Sequence, residues 1–234
     1  FYEECLGDKN LKNTGDSMKR ALITGSEGFI GAHLKKLLED REYDVWCSTQ
    51  NEKQKSPAID DRTIICDVRD ANLVEQALIV SNPDVIHHLA AQSYPTVSWE
   101  DPHTTLDTNV MGTVNLMEAA RSCDSVRVIL IVTSDKCYKN IETTKGYKET
   151  DTLGGDDPYS ASKASTEILI QSYISSFFKG KKIRICSARA GNVIGGGDWS
   201  KYRLLPDCIK STLGSKTIKI RNPYSTRPWQ HVLE

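Results

Sequence analysis

Three glycines at fixed spacing, Gly25-Ser26-Glu27-Gly28-Phe29-Ile30-Gly31, constrain this chain more than any other feature. They follow the apolar run Arg20-Ala21-Leu22-Ile23-Thr24, which has the composition of a buried strand. Beyond them Phe29, Ile30, Leu34, Leu37 and Leu38 form one apolar stripe, which predicts a helix over 29–38. Only glycine lets a backbone turn this tightly between a strand and a helix and approach a pyrophosphate closely. The helix start then directs its unpaired N–H groups and its positive dipole end at the phosphates.

The alternation begun there continues. Strands are predicted at 43–47, 63–66, 85–89, 126–132 and 182–188, with helices at about 70–81, 104–122 and 159–178. Pro83 separates a helix from the strand that starts at Val85, because proline restricts the residue before it. The pattern is that of an α/β fold, a doubly wound parallel sheet of the Rossmann type. The organisation read from it is a polar extension at 1–17 with no assigned function, a dinucleotide-binding domain at 18–195, and the beginning of a smaller substrate-binding domain at 196–234.

Composition narrows the partners. A chain of 234 residues with 26% charged residues and a formal net charge of −1 has no electrostatic footprint for nucleic acid or an anionic membrane. No apolar run reaches the roughly 20 residues a bilayer span needs, and 1–17 lacks the apolar core of a signal peptide. The seven cysteines form no CxxC pair and sit mostly in apolar runs such as Ile64-Ile65-Cys66. They read as small core residues of a protein in a reducing, cytoplasmic compartment.

The acidic residue that usually holds the adenosine ribose, about 20 residues beyond the glycines, is missing. The second strand ends Val45-Trp46-Cys47-Ser48-Thr49-Gln50; Asp44 lies too early and Glu52 falls in a polar loop. Lys53 and Lys55 beside the hydroxyl pair suit a 2′-phosphate equally well. NAD is the expected cofactor, with NADP left open. Further along, Tyr159-Ser160-Ala161-Ser162-Lys163 puts a phenol and an ammonium on one helix face. The ammonium favours the phenolate, which can then accept a proton from an alcohol. Ser134 closes the fifth strand in Val132-Thr133-Ser134-Asp135-Lys136 and supplies a hydroxyl at the strand's carboxyl edge.

These features resemble the extended short-chain dehydrogenases/reductases, the NAD-dependent epimerase/dehydratase family. The resemblance runs from about Lys19 to Glu234 and rests on His88-Leu89-Ala90-Ala91-Gln92-Ser93, Thr108-Asn109-Val110-Met111-Gly112-Thr113, Thr133-Ser134-Asp135-Lys136-Cys137-Tyr138 and Asp157-Pro158-Tyr159-Ser160. The most discriminating stretches are Ala188-Arg189-Ala190-Gly191-Asn192-Val193-Ile194-Gly195-Gly196-Gly197-Asp198-Trp199 and Arg227-Pro228-Trp229-Gln230-His231-Val232-Leu233-Glu234. Within the family the chain is most similar to CDP-glucose 4,6-dehydratases, with Phe29-Ile30-Gly31 where those enzymes more usually have Phe-Lys-Gly. The segment 88–100 also reads like GDP-mannose enzymes.

The resemblance implies a cofactor site built on Gly25, Gly28, Phe29, Ile30 and Gly31. Asp67 contacts the adenine amine, and Val68, Leu89, Ala90, Ala91, Asn109, Tyr159, Lys163 and Ala190 line the rest. It implies a nucleotide-sugar substrate touched by Gln92, Ser93, Asn192 and Arg227. Catalysis falls to Ser134, Asp135, Lys136, Tyr159 and Lys163. Tyr159 takes the C4 hydroxyl proton, Lys136 the C5 proton, and Asp135 protonates the departing C6 hydroxyl. A 4-epimerase or 4-reductase needs no such acid–base pair, and a non-catalytic dinucleotide binder needs none of these groups. As plainer readings, Asp67 is a helix cap, Asp135-Lys136 a solvated turn, Arg227 a surface ion pair rather than a diphosphate contact, and Asn109 a structural hydrogen-bonder. His87 and His88 are expected against the cofactor, with no metal, and Trp99, Trp199 and Trp229 either stack on a base or fill core. A homodimer or homotetramer is expected of the full-length protein. This chain, with its substrate domain incomplete, is expected to fold its sheet but turn over nucleotide sugar poorly.

Overall fold

A computed structural model describes residues 19–50, 62–218, 220 and 222–234. The extension at 1–17, Glu52, Lys53 and Lys55 lie outside the described residues. Alternate residues of the first strand, β1 (Arg20–Thr24), serve two cores. Leu22 shares one with Ile86, Ile129 and Ile131, while Ala21 and Ile23 share the other with Val45, Cys47 and Leu38. A strand buried on both faces belongs in the middle of a parallel sheet with helices on each side.

That is the architecture. β2 (Asp44–Thr49), β3 (Thr63–Ile65), β4 (Val85–His88), β5 (Val128–Val132) and β6 (Arg184–Ala188) join β1 in a six-stranded sheet of order β3-β2-β1-β4-β5-β6. Every pairing is parallel. Helix α1 (Phe29–Asp40) covers one face through Leu38. The other face packs on α2 (Ala71–Ser81), α5 (Gly112–Arg121) and α6 (Pro158–Tyr173) through Val74, Leu116 and Ile170 among others. Strand order reverses between β1 and β4, which opens a crevice beyond the carboxyl ends of those strands.

Local chemistry sets the helix boundaries. Asp70 caps α2 by accepting from the Asn72 and Leu73 amides, and left-handed Asn82 (φ 41°) ends it just before Pro83. Asp157 caps α6 and Pro158 occupies its first turn. The helix expected over 104–122 is in three parts: α4 (Pro102–Leu106), a π-helical turn at Asp107–Met111, and α5. Asp101 and Pro102 start it earlier than its apolar pattern suggests. A short α3 (Pro95–Glu100) precedes it, and a second π turn, Ile174–Phe178, extends α6.

The glycine turn is demanding at two positions. Gly25 has φ +71°, and a Cβ there would stand 2.8 Å from the Ala90 amide nitrogen. A Cβ on Gly31 would stand 2.4 Å from the Gly25 carbonyl oxygen, so the helix can pack on the turn only without a side chain.

One compact unit ends at Arg189; a second comprises Ala190–Glu234. The second contains the parallel pair β7 (Asn192–Ile194) and β8 (Trp229–His231), and helix α7 (Leu204–Leu213). Among the described residues no helix is long and apolar enough to cross a membrane, and no cluster of His, Cys, Asp and Glu could hold a metal ion. Cys47, Cys66, Cys123, Cys137, Cys186 and Cys208 are free thiols.

Two expectations follow. Gly31→Ala forces a backbone shift at the turn and lowers stability by about 1–3 kcal/mol, read as a fall in urea midpoint; an unchanged midpoint contradicts the packing. The second concerns His87 and His88, which are 0% and 2% exposed. Burial lowers His87 to about 4, and burial together with the Lys163 ammonium lowers His88 to about 3. The unfolded chain therefore binds more protons than the native one below pH 6.5, so stability is fully present above that value and is lost on acidification. For the two groups the loss is about 4 kcal/mol between pH 7 and pH 5; equal stability by urea titration at those pH values contradicts it.

Candidate active site

The crevice at the strand ends is lined from β1 outward. The Ala90 amide donates to Thr24 Oγ1 at 3.2 Å, and Thr24 Oγ1 lies 2.7 Å from His88 Nδ1. His88 Nε2 lies 3.2 Å from Thr113 Oγ1, which donates to the Asn109 carbonyl at 2.8 Å. Because Thr113 Oγ1 gives its proton to the Asn109 carbonyl, His88 Nε2 is the donor of that pair, and with the ring held neutral by burial Nδ1 accepts from Thr24 Oγ1. The histidine expected against the cofactor is thus a tie between sheet and helix. Leu89 and Ala90 stand against Gly25, which brings those three predicted residues together.

Asn109, in the π turn, has a bridging position. Its Oδ1 accepts from the Gln92 amide at 2.8 Å, and its Nδ2 donates to the Gln92 carbonyl at 3.0 Å and to Ser162 Oγ at 2.9 Å. It therefore joins the loop after β4 to α6. Gln92 is a loop clamp: its Nε2 donates to the Tyr94 carbonyl and Thr105 Oγ1, and its Oε1 accepts from the Tyr94 amide. Ala91 and Ser93 are half-buried in the same loop. Val68 turns inward, 1% exposed, into the core beside Gly112, so its side chain is core rather than crevice lining. Asp67 holds the Arg69 guanidinium with both oxygens and also accepts from Gln50 Nε2 at 3.2 Å. The Arg69 hydrogen bonds keep its carboxyl below the usual range against the opposing pull of burial.

At the end of β5 the chain enters a single 3-10 turn, Asp135–Cys137, capped by Ser134. Ser134 Oγ accepts from the Lys136 amide at 3.2 Å and donates to Asp135 Oδ1 at 3.0 Å. Asp135 and Lys136 are half-buried, and the Lys136 side chain makes no ion pair among the described residues. The turn packs against α6, which carries Tyr159 and Lys163, 8% and 5% exposed. The first turn of α6 is fixed from outside as well, since Ser98 Oγ accepts from the Tyr159 amide at 3.1 Å. Lys163 Nζ donates to the Val132 carbonyl at 3.3 Å. Burial pulls its ammonium down to about 8, with Glu167 opposing.

Glu167 escaped the sequence reading. It is fully buried one turn beyond Lys163, and its carboxylate accepts from Thr133 Oγ1, from Ser187 Oγ at 3.0 Å and from Arg189 Nη2 at 2.8 Å. Burial pushes its pKa up, and these donors, Arg189 first, outweigh that and leave it lowered. Arg189 also donates to Tyr138 Oη at 2.9 Å and to the Glu149 carbonyl at 3.1 Å. The signal in the sequence was an acid four residues after Lys163, on the same helix face as Tyr159 and Lys163.

Three predicted residues lie in the second unit. Ala190 opens it, Asn192 pairs with Trp229 across β7 and β8, and exposed Arg227 donates to the Thr226 carbonyl at 2.8 Å. Arg227 makes no ion pair among the described residues. Trp99, Trp199 and Trp229 are all exposed, which removes the core reading for each.

The first unit fits a dinucleotide. Gly28 caps α1 without a side-chain hydrogen bond, which leaves the first-turn N–H groups to a phosphate, and Gly25 and Gly31 keep the turn clear of side chains. Known proteins agree with this geometry. A CDP-glucose 4,6-dehydratase of Salmonella typhimurium is 38% identical over 237 residues, covering 92% of this chain and 64% of that one. A dTDP-glucose 4,6-dehydratase of Mycobacterium tuberculosis is 31% identical over 224 residues, covering 91% and 65%. The chain thus spans somewhat less than two thirds of the length of these relatives. Among solved structures, a UDP-glucose 4-epimerase of Thermus thermophilus in complex with NAD superposes with a TM-score of 0.78 at 27% identity, covering 91% of this chain and 70% of that one. A dTDP-glucose 4,6-dehydratase of Streptomyces venezuelae with NAD bound gives 0.78 at 25%, covering 91% and 68%. Residues 21–234 match the NAD dependent epimerase/dehydratase family, and the chain belongs to it.

Proposed function

We propose that the chain is the cofactor-binding and catalytic part of a nucleotide-sugar 4,6-dehydratase that acts on CDP-glucose with bound NAD. The observation that carries this reading is the Ser134–Asp135–Lys136 turn packed against the helix of Tyr159 and Lys163. An oxidation at C4 needs only Ser134, Tyr159 and Lys163. Loss of water between C5 and C6 also needs a base and an acid, and this turn supplies one of each. The choice of CDP-glucose rests on the similarity to the Salmonella typhimurium enzyme and on the stretches 188–199 and 227–234.

The glycine turn of Gly25, Gly28 and Gly31 would hold the pyrophosphate of NAD, which when bound would supply reversible hydride exchange between C4 and C6 of the sugar. The Tyr159 phenolate, stabilised by the desolvated Lys163 ammonium, takes the C4 hydroxyl proton and becomes the neutral phenol. Ser134 orients the C4 oxygen. The C4 ketone then acidifies the C5 proton, which passes to Lys136 acting as a neutral amine, while Asp135, acting as the carboxylic acid, delivers a proton to the C6 hydroxyl as it leaves as water. Lys136 returns its proton to C5 once C6 is reduced, and the proton taken up by Tyr159 is passed through solvent to Asp135, which resets both groups. The sugar ends as a 4-keto-6-deoxy derivative with no net change in the cofactor.

Three measurements test this. Calorimetric titration should show CDP-glucose binding more tightly than GDP-mannose or dTDP-glucose; equal affinity removes the substrate assignment. In the protein bearing this sequence, Lys136→Met and Asp135→Asn should each lower dehydration by about 100-fold or more. Lys136→Met should also abolish deuterium uptake at C5, and wild-type rates and exchange in both variants overturn the mechanism. Lys163→Met should end turnover yet raise stability by about 1–3 kcal/mol, because it relieves a buried ammonium whose proton affinity has fallen from 10.5 to about 8. A loss of stability contradicts that.

A further inference from the structure

We propose that Glu27, inside the glycine turn, is the acidic group that holds the adenosine ribose and selects NAD over NADP. This rests on the dinucleotide reading above and adds the residue that decides which dinucleotide. In sheets of this topology the ribose hydroxyls lie beyond the end of β2, where a carboxylate usually receives them. Here β2 ends Ser48-Thr49-Gln50 with no acid, and Gln50 is turned to Asp67.

Glu27 fills that place from the neighbouring segment. The register pairs Thr24 with Ser48, so the turn leaves β1 beside the end of β2. Two hydrogen bonds fasten it there: Ser26 Oγ donates to the Ser48 carbonyl at 3.1 Å, and buried Thr49 Oγ1 donates to Glu27 Oε2. Thr49 thus fixes one oxygen of an otherwise exposed carboxylate. Oε1 accepts no hydrogen bond among the described residues and is available to a ribose hydroxyl. The same charge repels a 2′-phosphate, which carries about two negative charges at neutral pH. Arg69, beyond the end of β3, has its Nε and Nη2 committed to both oxygens of Asp67.

The test is titration calorimetry of the 234-residue chain with NAD and with NADP. The wild type should bind NAD at least about 100-fold more tightly than NADP. Glu27→Gln should weaken NAD about 10-fold and bring the two within about 10-fold of each other. Glu27→Lys should invert the preference, and Thr49→Val should weaken NAD severalfold by releasing the carboxylate. Thermal unfolding of each variant controls for folding, which an exposed Glu27 side chain should leave intact. A preference for NAD that survives Glu27→Gln and Glu27→Lys overturns the assignment and leaves the proposed function standing, as does equal binding by the wild type. Binding of neither dinucleotide by the wild type overturns the proposed function and this inference with it.

Discussion

The end of the sheet where β5 and β6 meet α6 is organised around a single buried carboxylate. Glu167 is wholly inside the protein, where an unpaired charge costs several kcal/mol, so its donors are obligatory. They come from three elements: Thr133 at the end of β5, Ser187 in β6 and Arg189 just beyond it. Thr133 precedes Ser134, and Glu167 lies on α6 one turn after Lys163 and two after Tyr159. Arg189 carries the constraint on to Tyr138 and to the backbone of Glu149, next to the Asp135–Lys136 turn. Groups remote in sequence are thereby held in one arrangement by an ion pair that tolerates few others.

A second line of hydrogen bonds runs from the glycine turn to the same helix. It passes through Ala90, Thr24, His88, Thr113 and the Asn109 carbonyl, and Asn109 Nδ2 then reaches Ser162 between Tyr159 and Lys163. The π turn matters here. Widening the helix at Asp107–Met111 frees backbone carbonyls from the regular ladder, and the Asn109 carbonyl accepts from both Thr113 and Thr166. The glycine turn and the helix of Tyr159 and Lys163 are thus joined by one continuous line of side-chain hydrogen bonds.

What the sequence made legible was local and periodic. Strand β1, the glycine turn and the stripe of α1 are each written within about a dozen consecutive residues, and all three stand where they were expected. The π turn was not legible, because a one-residue slip in hydrogen bonding leaves the apolar pattern over 104–122 nearly unchanged. Nor was the Glu167–Arg189 pair, whose partners are 22 residues apart and meet only because β5 and β6 are neighbours. The burial of the Val68 side chain was not legible either, since it depends on the close approach of Gly112, 44 residues away in sequence. Glu27 was visible as a letter in the glycine motif, yet its role depends on Thr49 across a strand pairing.

The electrostatics of the site follow from desolvation acting on two neighbours unequally. His88 and Lys163 are both buried, and burial disfavours the charged form of each. His88 starts nearer neutrality and feels the Lys163 ammonium besides, so it stays neutral and serves as a fixed hydrogen-bond bridge. Lys163 starts far higher and has Glu167 one turn away, so it falls only to about 8 and remains mostly charged at pH 7. One buried cation is thus left beside Tyr159, poorly solvated and therefore strong in its field. Such a field favours a phenolate in a way that a solvated lysine could not. The histidine's neutrality and the glutamate's ionisation are both conditions for it.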